Sequence, residues 1–256
     1  MDERTEQGRR FLMGYRDDDT TEFVSDQEKK LPQPPLCKAP MGGERTVLPR
    51  DFSALPEGGG LYDLLTRRRS ARIYTEGELS LLQLSFLLWA TQRTVPSGGA
   101  RHAFETYLLL RHVEGLRPGA YHYLPLEHAL EFLHPVEQLE DVVSDTLCGQ
   151  SWAAKASVIF YWSVVPYRAE WRYGPYAYAP LLVDVGHVGE NLYLACASQG
   201  LGTCGLRAFR HELCCELFGL DGEEEFIVYA APVGTVRPED TAQEAAFYQF
   251  VKDEDL

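Results

Sequence analysis

A cluster of arginines is the first feature of the sequence that points to chemistry. Four arginines fall within the six positions 67–72, although the whole chain has 24 Lys and Arg residues and a net charge of −14. Guanidinium groups match phosphate oxygens in two parallel hydrogen bonds, and Ser70 adds a hydroxyl donor. The same arginines also suit the last turn of a helix, where cations complement the helix dipole. The cluster alone does not distinguish between a phosphate site and a charged helix end.

A glycine-rich segment, GLGTCG at residues 200–205, matches the G-x-G-x-x-G dinucleotide fingerprint letter for letter. That fingerprint binds a pyrophosphate only where a strand leads into the loop and a helix follows it. Here the preceding residues 181–198 have helical periodicity, so a Rossmann domain is not favoured. Two readings remain, a backbone that lets a flat ring approach closely and an ordinary glycine at the end of a helix followed by a turn.

A loop of small residues, PSGGARH at residues 96–102, follows an apolar helix and precedes a strand. Small side chains leave room for a ligand and expose backbone N–H donors, although a plain connector has the same composition. No Ser/His/Asp or H-E-x-x-H arrangement is present, so the sequence shows no hydrolase machinery.

The six cysteines predict thiols and no metal site. Cys204, His211, Cys214 and Cys215 lie close in sequence, but they contain no C-x-x-C pair, and adjacent cysteines do not easily ligate one tetrahedral ion together. Buried cysteines commonly act as small apolar residues.

The alternation of helical and strand periodicities predicts an α+β fold with an antiparallel or mixed sheet flanked by helices. Residues 1–60 contain acidic, Pro-rich and Gly-rich stretches, and we interpret them as an extended N-terminal arm that docks on a partner subunit. Residues 167–178 are predicted as an aromatic-rich loop. Helices are expected at 61–65, 80–90, 136–147 and 181–198, and strands at 104–110, 121–124, 129–133, 157–165 and 226–231.

The amino-acid composition limits the kinds of partner that the chain can bind. With 38 acidic residues and 45% hydrophobic residues, the chain suits one globular domain and lacks the broad basic surface that nucleic acid or an anionic membrane requires. No apolar run approaches the roughly 20 residues of a membrane span, and the first ten residues do not resemble a secretory signal. A cytoplasmic location is therefore expected.

Taken in order, several segments resemble the nitroreductase-like flavoprotein superfamily, and within it the branch of SagB-type dehydrogenases. The segments that carry the resemblance are RRSAR (68–72), LSLLQLSFLLWATQ (79–92), PSGGARHAFETYLL (96–109), GAYHY (119–123), VGHVGENLYLACASQGLGTCGLRAF (185–209) and PVG (232–234). The resemblance implies an intertwined homodimer that binds FMN in residues 61–256, with two active sites at the subunit interface.

The resemblance also assigns residues to the cofactor. Those matching the stretch that holds the FMN phosphate, ribityl chain and pyrimidine edge are Arg68, Arg69, Ser70 and Arg72. Those matching the loop from the second subunit are Pro96, Ser97, Gly98 and Ala100, with Ala100 standing where many relatives have Asn. Those matching the backbone beside the flavin N5 are Gly205, Leu206, Arg207 and Ala208. Arg237 and Lys252 remain as candidates for a C-terminal phosphate-binding cation.

The resemblance finally implies an activity. Arg172 and Tyr173 stand at the position of a catalytic Lys-Tyr pair in azoline-oxidising relatives, but an arginine stays protonated and is no general base. We therefore expect an FMN-dependent oxidoreductase that moves hydride by a ping-pong route from NAD(P)H or an organic donor to a small acceptor. The alternatives are a peptide dehydrogenase that forms thiazoles or oxazoles, and a flavin-binding module without turnover.

Overall fold

The computed structural model describes residues 2–13, 23–92 and 94–240, together with residues 246, 249, 250 and 253. Within these residues, seven strands form one sheet in the order β1-β4-β3-β2-β5-β7-β6, and every neighbouring pair is antiparallel. The strands are β1 (Arg45–Val47), β2 (Phe104–Leu110), β3 (Gly119–Leu124), β4 (Ala129–His134), β5 (Val158–Val164), β6 (Leu201–Thr203) and β7 (Phe226–Thr235). The α+β prediction with an antiparallel sheet is confirmed.

Helices cover both faces of this sheet. They are α1 (Glu3–Leu12), α2 (Leu61–Arg67), α3 (Leu81–Gln92), α4 (Leu139–Thr146), α5 (Tyr167–Tyr173), α6 (Tyr178–Ser198) and α7 (His211–Phe218). Alternate side chains of β5 divide the core, because Phe160 packs with α3 and α6 while Tyr161 packs with α4 and α7. No helix in the described ranges is long and apolar enough to cross a membrane.

The structure of residues 167–178 shows that the prediction of an aromatic-rich loop was wrong. This segment is not a loop, because residues Tyr167–Tyr173 form α5, which starts after Pro166 in helical conformation and buries Arg168 and Trp171. Proline is well tolerated at a helix start, and the buried side chains, which include Ala169, give the short helix a packed face. The strand β6 and the helix α7 are further elements that the sequence patterns did not indicate.

The N-terminal segment is tied to its own chain. After helix α1, residues 23–47 cross the sheet, and β1 pairs with β4 at the sheet edge. The Lys38 amine donates to Glu225 Oε2 at 2.5 Å, and Glu131 accepts the backbone N–H groups of residues 41–43 at 2.6–2.8 Å. The arm boundary at residue 60 stays a prediction, and residues 14–22 lie outside the described part of the chain.

Candidate functional site

The arginine cluster lines a cavity of about 590 Å³. Its lining includes Arg68 and Arg69, which follow helix α2, Gly200 and Thr203 at β6, and Arg237 after β7, whose guanidinium is paired with Asp240 at 2.8 and 2.9 Å. Three predicted cofactor residues are thus brought together. Arg72 is solvent-exposed and is not among the residues that line the cavity, and Lys252 lies outside the described residues.

Backbone pairing fixes the cluster against the sheet. Ser70 forms a parallel bridge with Thr203, and the N–H of Ala71 donates to the carbonyl of Thr203 at 2.9 Å. Gly202 allows this close approach, since a Cβ at that position would overlap the side chains of Ala71 and Val236. The glycine-rich segment therefore serves to bring the arginine segment close to β6. Gly200 itself ends α6 with a φ of 66°, as one of the two predicted readings required.

Tyr193 on α6 links the two parts of the cavity, and the sequence patterns did not single it out. Its hydroxyl lies 3.1 Å from Ser70 Oγ and accepts the backbone N–H of Gly205 at 2.8 Å, while the Arg68 guanidinium lies 5.2 Å from the ring centroid. Burial raises the pKa of Tyr193, so the hydroxyl stays protonated at neutral pH, and either hydroxyl of the Tyr193–Ser70 pair can be the donor. This contact depends on how α6 packs on β6, which no local pattern encodes.

The segment Gly205 to Ala208 leaves the sheet next to Tyr193. Leu206 exchanges both backbone hydrogen bonds with Ala230, at 2.7 and 3.0 Å, and Gly205 packs so closely on Tyr229 that a Cβ would overlap its hydroxyl. The following residues Arg207 and Ala208 are exposed, and their N–H groups donate to no group in residues 23–92 or 94–240. These two backbone donors follow Gly205, whose own N–H binds Tyr193.

A second group of predicted residues gathers around Gly99. The loop is held by Asp184, whose carboxylate oxygens accept the N–H of Gly98 at 2.9 and 3.1 Å. A Cβ on Gly99 would lie 2.5 Å from the Tyr173 hydroxyl and 2.8 Å from Arg172 Nε, and the backbone has a φ of 59° that favours glycine. The loop that contains Pro96, Ser97, Gly98 and Ala100 thus packs directly against the predicted Arg172-Tyr173 pair.

The two groups lie towards opposite ends of helix α6. Asp184 holds the loop, whereas Ala197 lines the arginine cavity, and the two positions are 13 residues apart. At 1.5 Å per residue the separation along the axis is about 20 Å. One chain therefore does not unite the arginine cavity with the Gly99 loop in a single pocket.

Cysteines and histidines form no comparable centre. The Cys215 Sγ and His211 Nε2 atoms are 4.0 Å apart, and burial raises the pKa of Cys214 to about 12. Among the described residues, no group of three or more His, Cys, Asp and Glu side chains is arranged to hold a metal ion.

Comparison with known proteins decides the family. The Nitroreductase family model matches residues 65–235, which is more than half of the chain. A protein of Methanocaldococcus jannaschii named as a nitroreductase is 32% identical over 186 residues, or 68% of this chain and 90% of the relative. The chain belongs to the Nitroreductase family. The recognition made from the sequence segments is confirmed, and the protein is a nitroreductase-family oxidoreductase.

Other relatives of this nitroreductase-family chain share part of its length. The trifolitoxin-processing protein TfxB of Rhizobium leguminosarum is 27% identical over 62% of this chain, which spans only 39% of TfxB. A nitroreductase structure from Ralstonia eutropha matches with a TM-score of 0.64 and 24% identity, over 81% of this chain and 95% of that one. One from Anabaena variabilis matches with a TM-score of 0.65 and 24% identity, over 76% of this chain and 42% of that one.

A third structure is an Escherichia coli microcin synthetase complex, McbBCD, with truncated pro-MccB17 bound. It matches with a TM-score of 0.59 and 22% identity, over 67% of this chain and 70% of that chain. At identities below 25% these structures establish the shared fold and nothing further.

Proposed function

We propose that this nitroreductase-family protein is an FMN-dependent oxidoreductase that moves hydride from NAD(P)H or an organic donor to a small acceptor. The observation that carries the proposal is the convergence of Arg68, Arg69 and Arg237 on one cavity of about 590 Å³. Cofactor-sized ligands occupy cavities of roughly 300–1,000 Å³, and arginines are the side chains best suited to a phosphate.

The residues present fit FMN. The guanidinium groups that line the cavity would hold the phosphate, and the Ser70 hydroxyl would suit the ribityl chain. The N–H groups of Arg207 and Ala208 lie beyond Gly205 and would donate to the edge of the ring system. When bound, FMN supplies two-electron hydride chemistry, and the protein orients the ring and its reactants.

A twofold dimer explains why the second group of residues lies elsewhere in the chain. We infer that the loop at Gly98 of one subunit covers the flavin held by the arginine cavity of its partner. The exposed apolar side chains Leu182 and Val183, which are 44% and 59% exposed on α6, supply part of the surface that such a dimer would bury.

Within this composite site, Tyr173 would donate or accept the proton that accompanies hydride transfer. A guanidinium group is a poor base, so Arg172 has no role in accepting the proton. Reduction of a nitro group balances as R–NO₂ + NAD(P)H + H⁺ giving R–NO + NAD(P)⁺ + H₂O. Donor and acceptor would occupy the same site in turn, which predicts ping-pong kinetics.

Arginine substitutions test the cofactor site. Arg69→Ala and Arg237→Ala should each weaken FMN binding by about 10- to 100-fold, which is the cost of a lost charged hydrogen bond of about 1.5–3 kcal/mol. Arg210→Ala is the control, because Arg210 is exposed and lies outside the cavity lining. FMN fluorescence quenching measures the affinities. Equal affinities in all three variants would remove the assignment.

A second candidate is a dehydrogenase that oxidises peptide azolines to thiazoles or oxazoles. The likeness to TfxB and the placement of Tyr173 against the Gly99 loop favour it. Such a reaction removes one hydride to the flavin and one proton to a base, so Tyr173→Phe should abolish it. Incubation of the FMN-loaded protein with an azoline peptide tests this candidate by a mass loss of two hydrogens per ring. A protein that binds FMN but oxidises neither NAD(P)H nor azolines would instead be the non-catalytic module.

A further inference from the structure

We propose that Arg101 and Arg172 form a subsite that binds an oxyanion, a carboxylate or a phosphate, on the substrate. This inference rests on the proposed function, because it places the subsite beside the flavin of the partner subunit. It names the class of substrate, which the fold alone leaves open.

Arg101 is held ready for an anion. Its Nε donates to the carbonyl of Gly99 at 2.8 Å, and its guanidinium lies 5.2 Å from the centroid of the Trp171 ring. Its Nη1 atom is buried and has no hydrogen-bond partner among the residues that the structure describes. A cationic donor that is shielded from water and unpaired is costly, so native proteins retain such a group where a ligand satisfies it.

Arg172 approaches the same loop from helix α5. Its Nε would lie 2.8 Å from a Cβ on Gly99, and its Nη1 donates to the neutral amide oxygen of Gln27 at 2.9 Å. The guanidinium also lies 5.5 Å from the centroid of the Tyr173 ring. Both arginines therefore converge on Gly99, next to the hydroxyl proposed to handle the proton.

The charge of this pair is uncompensated. Across residues 23–92 and 94–240, neither Arg101 nor Arg172 forms an ion pair with a carboxylate, although the chain carries a net charge of −14. The nearby Asp184 faces the loop from α6, but its oxygens accept the N–H of Gly98. In contrast Arg168, one turn away on α5, is buried and paired with Glu105 at 2.5 Å.

The position of the pair separates it from the cofactor phosphate. The arginine cavity lies about 20 Å away along α6, so within one chain the two cationic groups bind different oxyanions. Across the twofold interface, the Gly99 loop would face the ring end of the partner's flavin. An anionic group bound there would hold the rest of the substrate against the reactive ring.

Matched acceptors test the proposal on the full-length, FMN-loaded protein. 4-Nitrobenzoate and 4-nitrobenzamide have similar shape and differ in charge, so the ratio of their kcat/KM values isolates recognition of the carboxylate. Arg101→Gln and Arg172→Gln should each lower this ratio about ten-fold relative to wild type, mainly through KM, because a charge-assisted hydrogen bond is lost. Arg45→Gln on the edge strand should leave the ratio unchanged.

Calorimetry provides a readout that does not depend on turnover. Benzoate and inorganic phosphate are titrated separately into the oxidised FMN-loaded protein, with benzamide as the neutral control. Binding of benzoate or phosphate that weakens about ten-fold in both variants supports the subsite, and the tighter ligand identifies the oxyanion. The inference is overturned if the kcat/KM ratios of both variants stay within two-fold of wild type and neither anion binds more tightly than benzamide. In that case FMN binding and nitro reduction still persist. Absence of FMN binding overturns the proposed function, and this inference falls with it.

Discussion

Removing the hydroxyl of Tyr193 should loosen the cofactor cavity without changing its shape. In Tyr193→Phe the N–H of Gly205 loses its acceptor at 2.8 Å and Ser70 loses its partner at 3.1 Å. A hydrogen bond contributes about 1 kcal/mol net, and an unsatisfied donor costs about 1–3 kcal/mol. Ser70 is half-buried and recovers part of its loss through water. We therefore expect a total loss of about 2 kcal/mol of unfolding free energy.

That loss corresponds to a fall in melting temperature of about 4–8 °C for a domain of this size. We also expect FMN affinity to fall about ten-fold, equivalent to 1.4 kcal/mol, because Ser70 and the segment after Gly205 lose their fixed positions. Differential scanning calorimetry and FMN fluorescence quenching measure the two effects.

Tyr229→Phe is the matched control. The Tyr229 hydroxyl also lies against Gly205 but makes no hydrogen bond within the described residues. It should change melting temperature and FMN affinity much less. If the Tyr193→Phe and Tyr229→Phe variants bind FMN as tightly as wild type and melt at the same temperature, the hydroxyl does not organise the cavity and the reasoning is wrong.

The buried ionic network beneath the arm yields three further predictions. Arg168→Met should cost about 3–5 kcal/mol in urea unfolding because the buried carboxylate of Glu105 loses its arginine partner, and adding Glu105→Gln should recover part of that loss. Burial raises the pKa of Glu105, but the hydrogen bond from His122 and the charge of Arg168 outweigh it, so its pKa falls below the ordinary value of 4.5. Stability should therefore decline as pH falls below about 4.5, with a shallower slope in Glu105→Gln; an unchanged slope would show that Glu105 is not the group involved. Lys38→Met breaks the 2.5 Å contact with Glu225, so hydrogen exchange should quicken in residues 34–43, and unchanged protection would show that other contacts hold the arm.

Local sequence patterns were sufficient for prediction where one type of residue dominates a segment. The apolar run at 157–165 predicted the central strand β5, and residues 104–110 predicted β2 to the residue. The arginine cluster was informative because so many cations in six positions stand out in an acidic chain. The apolar runs and the arginine cluster remain informative in the folded protein because burial and charge act on each segment directly.

Other features depended on contacts between distant segments. Tyr193 acquires its role only when α6 packs beside β6, and the cluster around Gly99 requires α5 to meet the loop after α3. Helix α5 itself escaped prediction because its aromatic and charged residues show no clear period. Two of its buried side chains, Arg168 and Trp171, contact the sheet and the arm through hydrogen bonds to Glu105 and to the carbonyl of Leu31. Such partners are far apart in sequence, and single-segment reasoning does not see them.

Comparison of FMN with riboflavin tests the central claim most directly. The two molecules share the ring and ribityl chain and differ only in the phosphate, which the account assigns to Arg68, Arg69 and Arg237. Equilibrium titration of the full chain should give one FMN per chain, with riboflavin at least about 100-fold weaker because it lacks the charged hydrogen bonds. No FMN uptake, or equal affinity for the two flavins, would contradict the assignment of the arginine cavity to the cofactor.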